Sequence, residues 1–106
     1  MLAKKYRLPI QTVLGKSGAT SKNSLFTVKI FPSPLPYCRF GIIISKKTAA
    51  RATKRNYIRR QFFSAIEPFI KKEAGKDILI IVAPAAMRAG SIELRTNIAE
   101  ALEKIL

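Results

Sequence analysis

The sequence contains no histidine, no tryptophan and a single cysteine, Cys38. Histidine is the commonest general base and the commonest metal ligand, so its absence excludes Ser-His-Asp catalysis and zinc fingers. One cysteine forms neither an intramolecular disulfide nor a cysteine-rich zinc site. Long hydrophobic runs are also missing, because the longest, residues 78–87, is about half of a bilayer span and contains Pro84. With no apolar signal segment after the early lysines, we expect a soluble cytoplasmic protein.

Acidic residues are absent from a long part of the chain. Residues 1–66 contain 14 lysines and arginines and no aspartate or glutamate, whereas residues 67–106 contain six basic and six acidic residues, so the formal charge of +14 comes entirely from the first part. An asymmetry this complete is typical of a surface that binds a polyanion. Nucleic acid fits it better than an anionic membrane, because no long amphipathic basic helix is evident. The alternative is a solvated basic surface with no special partner.

The length of 106 residues and the hydrophobic content of 48% predict a single domain over residues 1–106. Apolar spacing favours at most a short helix over residues 9–14, and the Ser, Gly, Thr and Asn content of residues 16–24 predicts a flexible loop. Alternating apolar residues predict two strands, over residues 25–31 and 39–45.

The second half of the chain changes to a helical period. One apolar stripe marks a long helix that begins at about Ala52, and it comprises Ile58, Phe62, Ala65, Ile66 and Phe69. Phe63 is predicted to lie on the opposite side, with Asn56 and Arg60. The aliphatic run of residues 78–83 suits a central strand buried on both faces, and a final amphipathic helix begins at about Ser91. The order is helix, strands, long helix, strand, helix. This order predicts an α+β fold, a small two-layer sandwich with a mainly antiparallel four-stranded sheet.

A dense group of cations lies between the second predicted strand and the start of the long helix. The polar residues of this group are Ser45, Lys46, Lys47, Arg51, Lys54, Arg55, Asn56, Arg59 and Arg60. The helix dipole repels cations near a helix N-terminus by a few tenths to about 1 kcal/mol each, so their clustering indicates a partner that brings phosphates. Arginine supplies planar bidentate contacts, lysine a point charge, and the Asn56 amide both donates and accepts hydrogen bonds. The alternative is a solvated basic helix face on which Asn56 has no special role.

Two stretches carry a family resemblance. Residues 39–47 read RFGIIISKK, and residues 55–60, which begin eight positions later, read RNYIRR. A strand that ends in Ser-Lys-Lys, followed at this spacing by a helix that opens with Arg-Asn, resembles the protein component of bacterial ribonuclease P. The order of predicted elements is similar to that family over residues 25–106.

The resemblance implies a cofactor protein of a ribonucleoprotein endonuclease that removes the 5′ leader of precursor tRNA. Its catalytic centre would be on the RNA, Mg²⁺ would be bound mainly by that RNA, and the protein alone would be inactive. The implied partners are the catalytic ribonuclease P RNA, with one protein per RNA, and precursor tRNA. The implied fold is like that of the second domain of ribosomal protein S5, and no catalytic or metal-binding residue is expected in the protein.

Two sites follow from this resemblance, position by position. The RNA-binding site would comprise Arg39, Ser45, Lys46, Lys47, Arg51, Lys54, Arg55, Asn56, Arg59 and Arg60. The leader cleft, between the first helix and the sheet, would comprise Ile10, Leu14, Thr27 and Lys29. The sequence departs from the family pattern at Tyr57 and Phe63, where basic residues are common, and at Lys29, where an aromatic residue is usual. We therefore expect a smaller RNA contact on the long helix and a leader cleft that relies more on charge than on stacking.

Two other classes of protein are weighed against this interpretation. A nuclease that acts without RNA needs paired carboxylates for Mg²⁺ or a tuned general base, and the six acidic residues are spaced as on solvated helix surfaces. A ribosomal or other structural RNA-binding protein with no role in tRNA processing has a similar composition. Binding to ribosomal RNA without an effect on tRNA maturation would distinguish this last class.

Overall fold

A computed structural model describes residues 6–9, 11, 13, 18–44, 51–69 and 75–105. Within them lie four strands, β1 (Ala19–Lys22), β2 (Phe26–Pro32), β3 (Arg39–Ile43) and β4 (Lys76–Val82), and two α-helices, α1 (Ala52–Ile66) and α2 (Ser91–Ile105). Short 3₁₀ helices, Glu67–Phe69 and Pro84–Arg88, follow α1 and β4. No helix in this part of the chain is long and apolar enough to cross a membrane.

The four strands form one sheet in the order β1-β2-β4-β3. β2 is antiparallel to both β1 and β4, whereas β3 and β4 are parallel. A parallel pair needs a crossover connection, and α1 lies in the segment that connects β3 to β4. β4 is a central strand, as its continuous aliphatic sequence predicted. The prediction of an α+β fold with a mainly antiparallel four-stranded sheet is confirmed.

Both helices pack on one face of the sheet, and this face holds the main core. The strands contribute Phe26, Val28, Phe40, Ile42, Ile78 and Ile80 to it, and the helices contribute Ile58, Phe62, Ile66, Leu94, Ile98 and Leu102. The rings of Phe26 and Phe62 meet edge to face, with 5.7 Å between centroids and 81° between planes. Such a pair contributes about 0.5–1.5 kcal/mol beyond the area that it buries. The buried stripes of the helices are the ones that the sequence period predicted, except that Phe63, predicted to lie opposite the stripe of α1, is also buried in the main core. An apolar ring beside the stripe packs into the core rather than facing water.

The second face of the sheet, opposite the helices, holds a smaller cluster of Leu8, Val13, Phe31 and Leu79. Leu8 lies over β3 at Gly41, where a Cβ atom would stand 3.3 Å from the Cβ of Leu8. The backbone N–H of Leu8 also donates to the carbonyl of Phe40 at 2.9 Å. Glycine at position 41 therefore lets the N-terminal segment approach the sheet closely.

The prediction of a loop over residues 16–24 is wrong for its second half, where β1 pairs with β2. All four residues of β1 are exposed, so this edge strand buries no face and shows no apolar alternation for a sequence pattern to detect. The turn that follows is held by Asn23, whose Oδ1 accepts hydrogen bonds from the backbone N–H groups of Leu25 and Phe26 at 2.8 and 3.0 Å. This is a turn that asparagine favours by bonding to nearby backbone.

Candidate nucleic-acid interface

Helix α1 separates apolar side chains from basic ones. Its buried residues are Ile58, Phe62 and Ile66, at most 1% exposed, and Phe63, 9% exposed. Its cations are Lys54, Arg55, Arg59 and Arg60, and the helix contains no acidic residue. We call these four residues together with Asn56 the α1 basic surface. Several positive charges with no negative charge between them create a local potential that attracts phosphate groups.

The start of α1 adds to this potential. Arg51 is the N-cap residue, makes no side-chain capping hydrogen bond, and is followed by a first turn without acidic residues. Helices usually begin with Ser, Thr, Asp or Asn at this position and are stabilised by acidic side chains in the first turn. The N-terminal end of α1 therefore lacks the negative charge that a helix dipole favours, and a phosphate group would supply it.

Two contacts between neighbouring turns orient side chains of the α1 basic surface. Arg59 Nη1 donates to Asn56 Oδ1 at 3.1 Å, and Lys54 Nζ lies 5.7 Å from the centroid of the Tyr57 ring. Residues three positions apart are neighbours on a helix, so both contacts follow from the sequence spacing. An exposed cation–π contact contributes on the order of 0.5–1 kcal/mol. Tyr57, 41% exposed, thus positions Lys54 on the surface of the helix.

A pocket of about 400 Å³ lies along the same helix. Its lining residues are Thr53, Asn56, Arg59, Arg60 and Phe63. Sequence reasoning singled out three of these five residues for RNA binding and missed Thr53 and Phe63. Their positions three residues before Asn56 and three after Arg60 place them on the same helix face, and this spacing is the signal that identifies them.

The predicted leader-cleft residues Thr27 and Lys29 lie on the second face of the sheet, where both are half-buried. The strand register places Thr27 opposite Ile81 of β4 and Lys22 of β1, and Lys29 opposite Leu79. Lys22 therefore extends this row of side chains on the edge strand. Sequence reasoning missed Lys22, because its segment was predicted to be a loop.

Arg39 lies on the second face of the sheet, away from α1. Its Nε and Nη2 donate to the two carboxylate oxygens of Asp77 at 2.9 and 2.7 Å. The hydrogen bond to Asp77 raises the pKa of the Arg39 guanidinium above its ordinary value, and the negative charge of Asp77 acts in the same direction. The structure thus separates Arg39 from the other predicted RNA-binding residues and places it in a bidentate ion pair between β3 and β4.

The remaining predicted site residues divide into two groups. Arg51, Lys54, Arg55, Asn56, Arg59 and Arg60 lie together on α1 or at its N-cap. The structure does not describe Ile10, Leu14, Ser45, Lys46 and Lys47. Half of the predicted helix over residues 9–14 therefore lies outside the described residues. Among the residues that are described, no group of three or more acidic, cysteine or histidine side chains could hold a metal ion.

The fold and this surface define a class of small α+β sandwich proteins with an acid-free basic helix. The sequence model of the ribonuclease P family matches residues 4–106. The chain therefore belongs to the ribonuclease P protein family.

Individual relatives agree with this membership. The ribonuclease P protein component of Thermus aquaticus is 30% identical over 89 residues, which are 84% of this chain and 52% of the relative. That of Chromobacterium violaceum is 45% identical over 38 residues, which are 36% of this chain and 31% of the relative. The chain thus spans about half, or less, of the length of these relatives.

Solved structures have the same fold. A Staphylococcus aureus RNase P protein mutant with defective mRNA degradation activity is 28% identical and superposes with a TM-score of 0.82, over 96% of this chain and 88% of that one. The RNase P protein of Thermotoga maritima, in complex with 1-(4-fluorophenyl)-2-thiourea, is 24% identical with a TM-score of 0.84, over 94% of this chain and 100% of that one. The likeness to the Thermotoga maritima protein concerns the fold alone.

Proposed function

We propose that the chain is the protein subunit of ribonuclease P, which binds the catalytic RNA and the 5′ leader of precursor tRNA and promotes removal of the leader. The observation that carries this proposal is the α1 basic surface, with four cations and no acid on one helix. Family membership and relatives named ribonuclease P protein component support the identity of the enzyme. A cytoplasmic location and one protein per RNA belong to the same proposal.

The α1 basic surface would act by neutralising RNA phosphates. Each lysine or arginine that pairs with a phosphate releases condensed counterions, so affinity falls with salt by a slope of about 0.7–0.9 per contact on a log–log scale. The arginines offer bidentate contacts, and Lys54 offers a point charge held beside Tyr57. Such neutralisation lets RNA segments that repel each other come together at lower Mg²⁺ concentration.

Chemistry at the scissile phosphate is assigned to the RNA, together with the Mg²⁺ ions. Of the described acidic residues, Asp77 is paired with Arg39, and Glu67, Glu93, Glu100 and Glu103 are exposed. These residues do not converge into a group that fits a metal ion, and we derive no step through a metal held by the protein. The role of the chain is to bind and position RNA.

The leader would lie on the second face of the sheet. Thr27 and Lys29 are half-buried there, and Lys22 stands beside Thr27 on the edge strand. Two lysines next to partly exposed aliphatic residues suit a single strand that is held mainly through its phosphates. This arrangement supports the expectation that leader binding depends on charge.

Reconstitution tests the proposal. The chain alone, a ribonuclease P RNA alone, and both together are incubated with precursor tRNA over a series of Mg²⁺ and salt concentrations. We expect no cleavage by the chain alone, and accurate 5′ cleavage by the complex at lower Mg²⁺ and salt than the RNA alone requires. Light scattering on the same complex measures the ratio of protein to RNA. Cleavage by the chain without RNA would refute the proposal, as would binding to ribosomal RNA with no effect on tRNA processing.

A pair of charge-neutralised variants, one on each helix, tests the role of the α1 basic surface in reconstitution. Replacing Arg59 and Arg60 by glutamine keeps side-chain length and helix propensity but removes two charges from the α1 basic surface. We expect this variant to stay folded and to need more Mg²⁺ for cleavage. Replacing Arg95 and Lys104 of α2 by glutamine removes the same charge from the other helix and should leave the Mg²⁺ requirement unchanged.

A further inference from the structure

The pocket on α1 has walls of two chemical kinds. One wall is apolar: it is lined by Phe63, which belongs to the main core and is 9% exposed. Thr53 lines the pocket on the same helix face. Because most of the Phe63 ring is packed in the core, this wall is held in place rather than formed on binding.

The other wall is cationic. Arg59 and Arg60 both line the pocket, and no acidic residue is among its described lining residues. Two guanidinium groups without a counter-charge select an anionic ligand. The volume of about 400 Å³ falls in the range of about 300–1,000 Å³ that is typical of pockets for small molecules. The pocket therefore suits a ligand that combines a planar apolar ring with phosphate.

Asn56 adds a directional contact. Its Oδ1 accepts a hydrogen bond from Arg59 at 3.1 Å, which orients the amide so that Nδ2 is the donor that Asn56 offers to a ligand. The ring nitrogens and carbonyl oxygens of nucleobases accept such a bond. In this pocket one hydrogen-bond donor, two cations and an aromatic wall lie on a single helix face.

We propose that this pocket binds one unpaired nucleotide of the RNA partner. The base packs against Phe63 and Thr53 and accepts a hydrogen bond from Asn56, while Arg59 and Arg60 hold the flanking phosphates. The nucleotide is unpaired because bases inside an RNA helix are stacked and paired, and the deep, narrow major groove hides their edges. This inference rests on the proposed function, and it gives Phe63 a role at a position where a basic residue is common in the family.

Three labelled RNA hairpins of equal stem length test the inference by fluorescence anisotropy with the full chain. One is fully paired, one carries a single bulged adenosine, and one carries an abasic nucleotide in the bulge. We expect the bulged adenosine to raise the affinity about threefold to tenfold over the paired hairpin, the factor that one net hydrogen bond to the base supplies. The abasic bulge bends the stem in a similar way but has no base, so its hairpin should bind like the paired one.

A pocket-filling variant provides the second arm of the experiment. Phe63 belongs to the core, so its replacement would disturb folding, whereas Thr53 is exposed in the first turn of α1. Thr53→Trp places a large side chain in the pocket and should abolish the difference between the bulged and paired hairpins. Thr96→Trp, at an exposed position of α2, should keep the difference.

The outcomes separate the two proposals. Equal binding of the bulged and paired hairpins by the wild type would overturn the nucleotide pocket while binding to a ribonuclease P RNA still supports the proposed function. Retention of the difference in Thr53→Trp would also overturn the pocket. Failure of the wild type to bind any hairpin or the ribonuclease P RNA would overturn both.

Discussion

Helices α1 and α2 pack on the same face of the sheet and are both 15 residues long, but their charges are arranged in opposite ways. The charges of α2 match its helix dipole, because Glu93 lies in the first turn and Lys104 in the last. α1 has cations in its first two turns, no acid, and no basic residue in its last turn. The charges of α2 therefore stabilise the helix itself, whereas those of α1 oppose its dipole and become favourable when an anion binds.

The apolar sides of the two helices are alike, in contrast to their charges. Phe62 in α1 and Leu102 in α2 are both at most 1% exposed, and both lie in the main core. The comparison teaches that the two sides of α1 differ: its buried side holds the fold together, and its outer side carries the basic surface that we propose binds RNA. Four experiments test this division.

The largest effect is expected when the buried sides are truncated. Phe62→Ala should lower the free energy of unfolding by about 3–5 kcal/mol and Leu102→Ala by about 2–5 kcal/mol, through lost burial and a residual cavity. Urea denaturation followed by circular dichroism measures both. Similar losses of unfolding free energy in the two variants would show that both helices contribute equally to the core. A cost below about 1 kcal/mol for either residue would contradict the packing described here.

The next effect concerns a cation outside α1. Arg39→Ala leaves the carboxylate of Asp77 buried without its partner, and the side chains of the pair are 21% and 7% exposed. Removing one partner of a fully buried ion pair lowers the free energy of unfolding by about 3–5 kcal/mol. For this partly exposed pair we expect a loss of about 2 kcal/mol. RNA affinity, measured under folding conditions, should keep its salt dependence. A loss of salt slope without a loss of stability would assign Arg39 to the interface instead.

The third experiment compares equivalent charges on the two outer surfaces. Arg60→Glu should weaken binding to ribonuclease P RNA by roughly tenfold or more and lower the slope of log affinity against log salt by about one, since a phosphate contact is lost. Arg95→Glu makes the same change at an exposed position of α2 and should change the slope little. Filter binding at four salt concentrations measures both variants. Equal salt slopes of RNA affinity in the two variants would show that the outer surfaces of α1 and α2 do not differ in RNA binding.

The smallest effect separates a neutral side chain from the charges around it. Asn56→Ala removes no charge and should leave the salt slope unchanged, yet weaken RNA binding by about 1 kcal/mol, because a desolvated partner loses its hydrogen bond. Asn97→Ala is the matched change on α2, where the amide donates to the carbonyl of Glu93 at 2.8 Å, and it should leave RNA binding unaltered. If the two asparagine variants bind RNA like the wild type, Asn56 has no part in the interface.

The α1 basic surface could be predicted because helix periodicity is local. The side chains from Lys54 to Arg60 lie within about two turns of one helix once its period is recognised, and no distant residue is needed to place them. Arg39 shows the limit of this reasoning. Arg39 is the first residue of an alternating strand and is basic, but its partner Asp77 lies 38 positions away. Nothing in the local pattern indicates that β3 and β4 are neighbours.

The sequence by itself determined the two long helices, the central position of β4, and the concentration of positive charge in the first 66 residues. Hydrophobic period and charge depend on neighbours along the chain. Only the tertiary structure decided that residues 19–22 form an edge strand and that Lys22 lies beside Thr27. It also decided that Arg39 forms an ion pair with Asp77. Each of these depends on pairing between strands, which brings together residues that are distant in sequence. An exposed edge strand also buries no side chains, so it leaves no hydrophobic pattern in the sequence from which its pairing could be inferred.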